Sequence, residues 1–226
     1  MGTLASNRKG YITGASASNY EQALEITTGI ASDSHSATAN SLQYFRSSGR
    51  GGGTFRFIRT FLHFNTSSIS GGSDFQLQLT SGGANGGSNS AVTAVKHTAG
   101  TSNGGELANA DFDNIGASYS SSTTFGNSGT VTIGLNTAAA TDIINNSHFN
   151  VAILLTLDLP GQLEEDPLEE DGDVTNSIAF GSAINLVYTD PVSGGYGNKI
   201  AGLASASIAK ANGLATANIG KVNGVD

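Results

Sequence analysis

The chain has 226 residues, a formal net charge of −8 and only 12% charged residues, with 31 glycines and 3 prolines. It has no cysteine, which excludes disulfides, thiolate chemistry and cysteine-based zinc sites. It also lacks a signal-peptide core at its start and any apolar run of about 18 residues. We therefore expect a soluble protein with no membrane partner, long enough to bury a single core.

The first 29 residues are polar and weakly patterned, and we treat residues 1–29 as a separate N-terminal segment. Within this segment, residues 19–26 fit either a helical turn or an edge strand, and the pattern does not choose between them. The first clear strand candidate follows at Leu42, Tyr44 and Phe45.

The stretch from residue 55 to residue 69 is dense in phenylalanine and is flanked by glycine on both sides. Its apolar residues occur on both faces, which predicts a strand in the middle of a sheet that is covered on both sides. We expect Ile58, Leu62 and Phe64 on one face, and Phe55, Phe57, Arg59, Phe61 and His63 on the other. Arg59 is predicted to be structural, stacking beside Phe57 and Phe61 and donating to loop carbonyls. His63 is predicted to be packed or hydrogen-bonded.

Alternating apolar residues predict most of the remaining elements, with glycine-rich loops between them. The strand candidates are Phe75–Leu79, Ala91–His97, Val131–Leu135, Phe149–Leu159, Ile178–Phe180 and a closing strand Ile184–Tyr188, with residues 81–90 as a loop. A short helix is predicted after Asn136 or Thr137 as its N-cap. About eight short strands with glycine turns predict an all-β sandwich over residues 30–190.

Seven acidic residues lie within the ten positions 164–173. Carboxylates in a glycine-containing loop suit calcium, although the spacing does not match an EF-hand. The candidate calcium ligands are Glu169, Glu170, Asp171 and Asp173. A solvated loop is the simpler interpretation, and calcium as a structural ion is the alternative.

Residues 191–226 contain an eleven-residue repeat whose copies begin at Lys199, Lys210 and Lys221. An eleven-residue period also fits three helical turns, but glycine within each copy and the Asn212-Gly213 pair favour extended structure with turns. The apolar positions of this assembly tail are Ile200, Leu203, Ile208, Leu214, Ile219 and Val222. Because the tail has an apolar seam and no core of its own, we expect it to pack on another chain.

Two stretches carry a resemblance to known proteins. Arg59-Thr60-Phe61-Leu62-His63-Phe64-Asn65, followed by a small polar turn and Ile69, resembles the early core strand of carbohydrate-binding-module-like jelly rolls of the DNRLRE type. Asn65 stands where that family usually has an aspartate. The segment Ala217–Val225 is similar to segments that end phage structural proteins. The resemblance implies a jelly-roll β-sandwich, a location in the virion and trimeric association.

The motifs of the common enzyme classes do not occur in the sequence. The four histidines lie far apart, and the arginines form no basic patch of the size that nucleic acid requires. We therefore expect a non-enzymatic phage structural protein, a tail-fibre, appendage or head-decoration subunit, with itself and other virion proteins as partners. The alternative is a carbohydrate-binding module that attaches the particle to host surface glycans.

Overall fold

The computed structural model describes residues 1–33, 40–47, 54–85, 91–98, 106–126, 128–159, 174–190, 210–211 and 214–215. Its strands are β1 (Gly2–Ala5), β2 (Arg8–Gly14), β3 (Gly29–Asp33), β4 (Asn40–Ser47), β5 (Thr54–Asn65), β6 (Ser73–Asn85), β7 (Ala91–His97), β8 (Ile115–Ser118), β9 (Thr123–Thr124), β10 (Gly129–Gly134), β11 (His148–Leu155), β12 (Val174–Thr189), β13 (Lys210–Ala211) and β14 (Leu214–Ala215). The helices are α1 (Tyr20–Leu24) and α2 (Thr137–Asn145), with 3-10 turns at Asn109–Asp111 and Thr156–Asp158. The predicted all-β class is confirmed.

The large sheet is antiparallel, and its main order is β10-β6-β12-β4-β5-β11-β7-β8. Strand β4 joins two groups, because it pairs with the first half of β12 on one side and with the first half of β5 on the other. Both groups contribute to one hydrophobic core, which includes Leu77 and Leu186 from one group and Phe64 and Val151 from the other. This arrangement is sandwich-like, and the jelly-roll connectivity stays a prediction.

Strand β5 occupies the middle of its group, as its composition predicts. It pairs with β4 and then β11 along one edge, and with β2 along the other. Residues 60–64 are all buried, so both faces of this half of the strand are covered. The predicted core residues Leu62 and Phe64 are at most 1% exposed.

The N-terminal segment is built into the same sheet. Strand β1 pairs with the end of β12, from Gly2 opposite Tyr188 to Ala5 opposite Asn185. Strand β2 pairs with β5, and β3 pairs with β2. The body of the sheet therefore begins at residue 2, whereas the sequence places it from residue 30, because the weak apolar pattern of these strands hides their pairing.

Helix α1 resolves the ambiguity that the sequence leaves open between a helical turn and a strand. The side chain of Asn19 accepts a hydrogen bond from the Gln22 backbone at 2.8 Å, which caps the helix. The helix buries Tyr20, whose ring packs edge-on against Tyr44 and Phe57. This contact covers one face of β4 and β5.

Several strand boundaries differ from the predicted ones, and β12 runs from Val174 to Thr189 as one strand where two are predicted. Strand β6 continues to Asn85, through glycines that predict a loop, because β12 pairs with it as far as Ser177 opposite Asn85. Strand β11 ends at Leu155, although the apolar alternation continues, and the 3-10 turn at Thr156–Asp158 follows. That turn carries Asp158 into the core, where it is 1% exposed.

In the tail, the structure describes two short strands. Lys210 lies opposite Ala215 and Ala211 lies opposite Leu214 in an antiparallel pair. These four residues are extended, in agreement with the favoured interpretation of the repeat. The other predicted tail positions lie outside the described residues.

Candidate functional site

A buried arginine holds together three parts of the chain that are far apart in sequence. The Arg59 side chain is 0% exposed, and its Nε and Nη2 donate to the two carboxylate oxygens of Asp158 at 2.8 and 2.9 Å. Its Nη1 donates to the Phe112 carbonyl at 2.8 Å, and its guanidinium lies 4.0 Å from the centre of the Phe112 ring. Arg59 thus joins β5 to the turn after β11 and to the loop before β8.

Burial alone would lower the pKa of Arg59, but the charge of Asp158 and the hydrogen bonds to it raise the pKa. The Asp113 carboxylate lies 3.6 Å from Nη1 of Arg59 and also raises the pKa of Arg59. The guanidinium therefore stays charged, and its planar fork matches the carboxylate in a bidentate pair. Because the Arg59 and Asp158 side chains are both buried and bonded to each other, this pair is structural.

The predicted structural role of Arg59 agrees with this geometry, and the donation to a loop carbonyl is present. The aromatic partner is Phe112 and not the strand neighbours Phe57 and Phe61. Side chains two residues apart on a strand project from the same face in parallel, so the rings of Phe57 and Phe61 lie beside Arg59 and not over it. A residue from a loop that crosses the strand, here Phe112, can place its ring over the guanidinium. Sequence alone could not identify Asp158, because it belongs to an alternating row that predicts an outward-facing position.

An open polar cleft of about 550 Å³ lies where β7 and β11 stop pairing. The last paired residues are Lys96 and Val151, and the strands separate beyond them. The cleft is lined by Lys96, His97, Thr98, Tyr119, Asp142, Asn145, Asn146, Ser147, His148, Phe149 and Asn150. The end of α2 forms its remaining wall.

Asp142 is the centre of the hydrogen bonds in this cleft. Lys96 Nζ donates to Asp142 Oδ2 at 2.8 Å, and the Tyr119 hydroxyl donates to the same oxygen. Although partial burial would raise the pKa of Asp142, the hydrogen bonds from Lys96 and Tyr119 and the Lys96 charge lower it. Burial and the bond to Asp142 raise the pKa of Tyr119, which therefore stays protonated. Asp142 is thus an ionised acceptor and is not poised as a general acid.

The charges of Lys96 and Asp142 compensate each other, so the cleft offers mainly neutral polar groups. The side chains of Asn145 and Asn146 are exposed at the end of α2, and Asn150 is half-buried on β11. Amide groups both donate and accept hydrogen bonds, as a hydroxyl-rich ligand requires. The aromatic residues of the lining, Tyr119 and Phe149, are 2% and 1% exposed and offer no open ring face for stacking.

A pair of histidines in ring contact lies at this cleft, and one of them, His148, is part of its lining. The rings of His63 on β5 and His148 on β11 have centroids 5.0 Å apart and are tilted by 32°. His63 is packed, as the sequence predicts, but neither of its ring nitrogens has a hydrogen-bond partner among the described residues. Sequence reasoning missed this pair because 84 positions separate the two residues and only the register of β5 and β11 brings them together.

Most of the other predicted site residues lie outside the part of the chain that the structure describes. The candidate calcium ligands Glu169, Glu170, Asp171 and Asp173 lie outside the described residues, as do Ile200, Leu203, Ile208, Ile219 and Val222 of the tail. Among the residues that the structure does describe, no group of three or more acidic, histidine or cysteine side chains could hold a metal ion. The described helices include none that is long and apolar enough to cross a membrane.

Comparison with models of known protein families gives no match for this chain, and comparison with curated proteins finds no similar sequence. The sequence resemblance and the geometry of the sites therefore carry the functional inference.

Proposed function

We propose that the chain is a non-enzymatic structural protein of a phage virion, a tail-fibre, appendage or head-decoration subunit. In this proposal the all-β body faces outward, and residues 191–226 form the assembly tail. The observation that carries the proposal is the eleven-residue repeat, in which Lys210–Ala211 pairs with Leu214–Ala215. The resemblance of the β5 stretch and of Ala217–Val225 to phage proteins supports a place in the virion.

The short paired strands of the tail support an assembly role on energetic grounds. An isolated two-stranded hairpin is marginally stable at best in water, and these strands have two residues each. Each repeat adds an apolar residue after its glycine, at Leu203, Leu214 and Val225, but no local core to bury it. Stacking of repeats on partner chains would bury this seam, as in other repeat proteins.

We propose three identical chains as the assembly. Identical chains that associate through one surface commonly close as symmetric rings, and the resemblance to phage fibres favours three. The lysines that begin the repeats, Lys199, Lys210 and Lys221, could meet the acidic run at residues 164–173 of a neighbour, with the modest gain of exposed pairs. Other virion proteins would attach the assembly to the particle.

Native mass spectrometry of the full chain and of a chain ending at Asp190 tests this proposal. We expect trimers for the full chain and monomers after truncation. The double variant Leu203→Asn and Leu214→Asn should also dissociate the trimer, because it places amides in the seam. The matched control Ser205→Asn and Thr216→Asn, at another place in the same repeats, should stay trimeric.

Two results would contradict the assembly role of the tail. A monomer for the full chain would show that the tail does not drive self-association. A trimer that survives truncation would place the interface in the body.

A second candidate function is favoured by the polar cleft at the ends of β7 and β11. Its neutral lining of amides, hydroxyls and one compensated ion pair suits a hydroxyl-rich ligand such as a host surface glycan. Such a role is compatible with a structural one, since a fold does not fix a function.

A glycan array with the full chain tests the second candidate. Any glycan that binds should lose affinity when Asn145→Ala and Asn150→Ala are combined, because the amides are removed from the cleft. Thr132→Ala, at an exposed position on β10, is the matched control and should bind as the unaltered chain does. Binding that the cleft variant leaves unchanged would move the glycan site elsewhere.

A further inference from the structure

His63 has an environment that favours its neutral form. It is 7% exposed on β5, with Arg8 of β2 opposite it on one side and Asn150 of β11 on the other. Neither of its ring nitrogens has a hydrogen-bond partner among the described residues, nor does the buried Nδ1 of His148. A protonated imidazole would carry two N–H donors here, and leaving a buried charged donor unpaired is costly.

The groups around His63 add no negative charge that could compensate a proton. Arg8 approaches from β2, and its partner Glu106 lies 3.8 Å away with 69% of its side chain exposed. His148 of β11 packs against His63 with its ring tilted, and His97 of β7 packs edge-on against Phe61. No described carboxylate forms an ion pair with His63, so a proton on its ring would face Arg8 directly.

Burial, followed by His148 and Arg8, lowers the pKa of His63 below its ordinary value of 6.5. A lowered pKa in the folded state makes the stability of the protein depend on pH. Unfolded His63 takes up a proton near pH 6.5, whereas the folded form resists it, so stability is lost as the pH falls below 6.5. Each such histidine can reduce the folding equilibrium constant by up to about tenfold per pH unit in this range.

We propose that His63, packed against His148, forms an acid-sensitive latch, which holds β2 and β11 on β5 at neutral pH and weakens in mild acid. The strand that loosens first is β2. Its Arg8 would be repelled by protonated His63, and the exposed pair between Arg8 and Glu106 offers little to hold it. In this way the body keeps β2 paired with β5 at neutral pH and releases β2, together with its partner β3, in mild acid.

Thermal melts of the full chain between pH 8 and pH 5 test the latch, with hydrogen exchange of β2 as the local readout. We expect the melting temperature to fall below pH 6.5 and the exchange of residues 8–13 to accelerate before that of β7. The variant His63→Phe keeps an aromatic ring but cannot take up a proton, so its melting temperature should depend less on pH. In the control His97→Phe most of the pH dependence should remain, because His97 Nε2 lies 3.0 Å from the Leu62 carbonyl and has a partner when protonated.

The same loss of stability in acid for His63→Phe and for the unaltered chain would overturn the proposal, as would a melting temperature that does not fall. If His63→Phe does not fold, an NMR titration of the histidine rings in the unaltered chain decides the matter. A His63 pKa clearly below 6.5 supports the latch, and a value at or above 6.5 refutes it.

Discussion

Arg59 shows how one charged residue can organise the core of an all-β protein. Its guanidinium reaches Asp158 and the Phe112 carbonyl, which belong to connections on either side of the central strand. A buried ion pair of this kind adds little net stability over apolar residues of the same shape, but it is costly to break. The pair therefore specifies where the loop and the turn dock on β5.

Replacing Arg59 by alanine should destabilise the body strongly, because Asp158 is left as a buried carboxylate without a partner. We expect a loss of about 3–5 kcal/mol in the free energy of unfolding, measured by urea denaturation at pH 7. Arg8→Ala is the control, since its pair with Glu106 is exposed and should cost less than about 1 kcal/mol. Equal losses for the two variants would refute the structural role of Arg59.

A double-mutant cycle measures the interaction energy between Arg59 and Asp158 separately from the packing around them. Asp158→Asn should destabilise the body nearly as much as Arg59→Ala, since it leaves the guanidinium unpaired in the core. Combining Arg59→Ala with Asp158→Asn should cost less than the sum of the two single changes, because no unpaired charge remains. Additive losses in urea denaturation would show that the two side chains are not energetically coupled.

Helix α2 illustrates an element that its sequence predicts well. The Asn136 side chain accepts a hydrogen bond from the Ala139 backbone at 3.0 Å, as an N-cap does, and its amide also donates to the Ser118 carbonyl at 2.8 Å. The first contact is local and could be predicted from residue type. The second contact depends on where the end of β8 lies and could not be predicted from residue type.

The two bonds of Asn136 predict a measurable cost for its removal. Asn136→Ala should lower the free energy of unfolding by about 1–2 kcal/mol, because the cap and the contact with Ser118 are both lost. For a protein of this size the melting temperature should fall by roughly 2–8 °C in calorimetry. Thr137→Ala, one residue later and exposed, is the control and should leave it nearly unchanged.

The acidic run at residues 164–173, which lies outside the described residues, belongs to the same scale, because its predicted calcium role concerns one segment of the chain. If it binds calcium, adding the ion should raise the melting temperature and a chelator should reverse the gain. The double variant Asp171→Asn and Asp173→Asn should abolish the response. A melting temperature that calcium does not change would identify a solvated loop.

The strand boundaries show where sequence-based prediction reaches its limit. Strand β5 could be predicted from the sequence because much of it is buried on both faces, so apolar residues occupy positions on both sides of the strand. The end of β11 is decided by a distant partner, since Asp158 leaves the alternating row to reach Arg59. The polar cleft could not be predicted, because it depends on the point at which β7 and β11 separate.

At the scale of the whole molecule, the body should fold without the assembly tail. The core residues of the described sheet lie between Ile12 and Val187, and Met1 and Asp190 form an ion pair at 3.1 Å where the first and last strands of the body meet. A chain ending at Asp190 should give a β-type circular dichroism spectrum and a cooperative melt. Loss of that melt on truncation would show that the tail completes the core.

The pairing of β1 with β12 has a consequence for synthesis on the ribosome. These strands come from opposite ends of the body, so Gly2–Ala5 has no partner until residues 185–188 have emerged. At about 5–20 residues per second, the first strand must wait roughly 10–40 s before the sheet can close. Such distant pairings make folding slow, and during that interval β1 stays unpaired and is open to pairing with other chains. Newly made copies are therefore most prone to cross-pairing before they leave the ribosome, and chaperone contact during translation should matter more for this protein than contact after release.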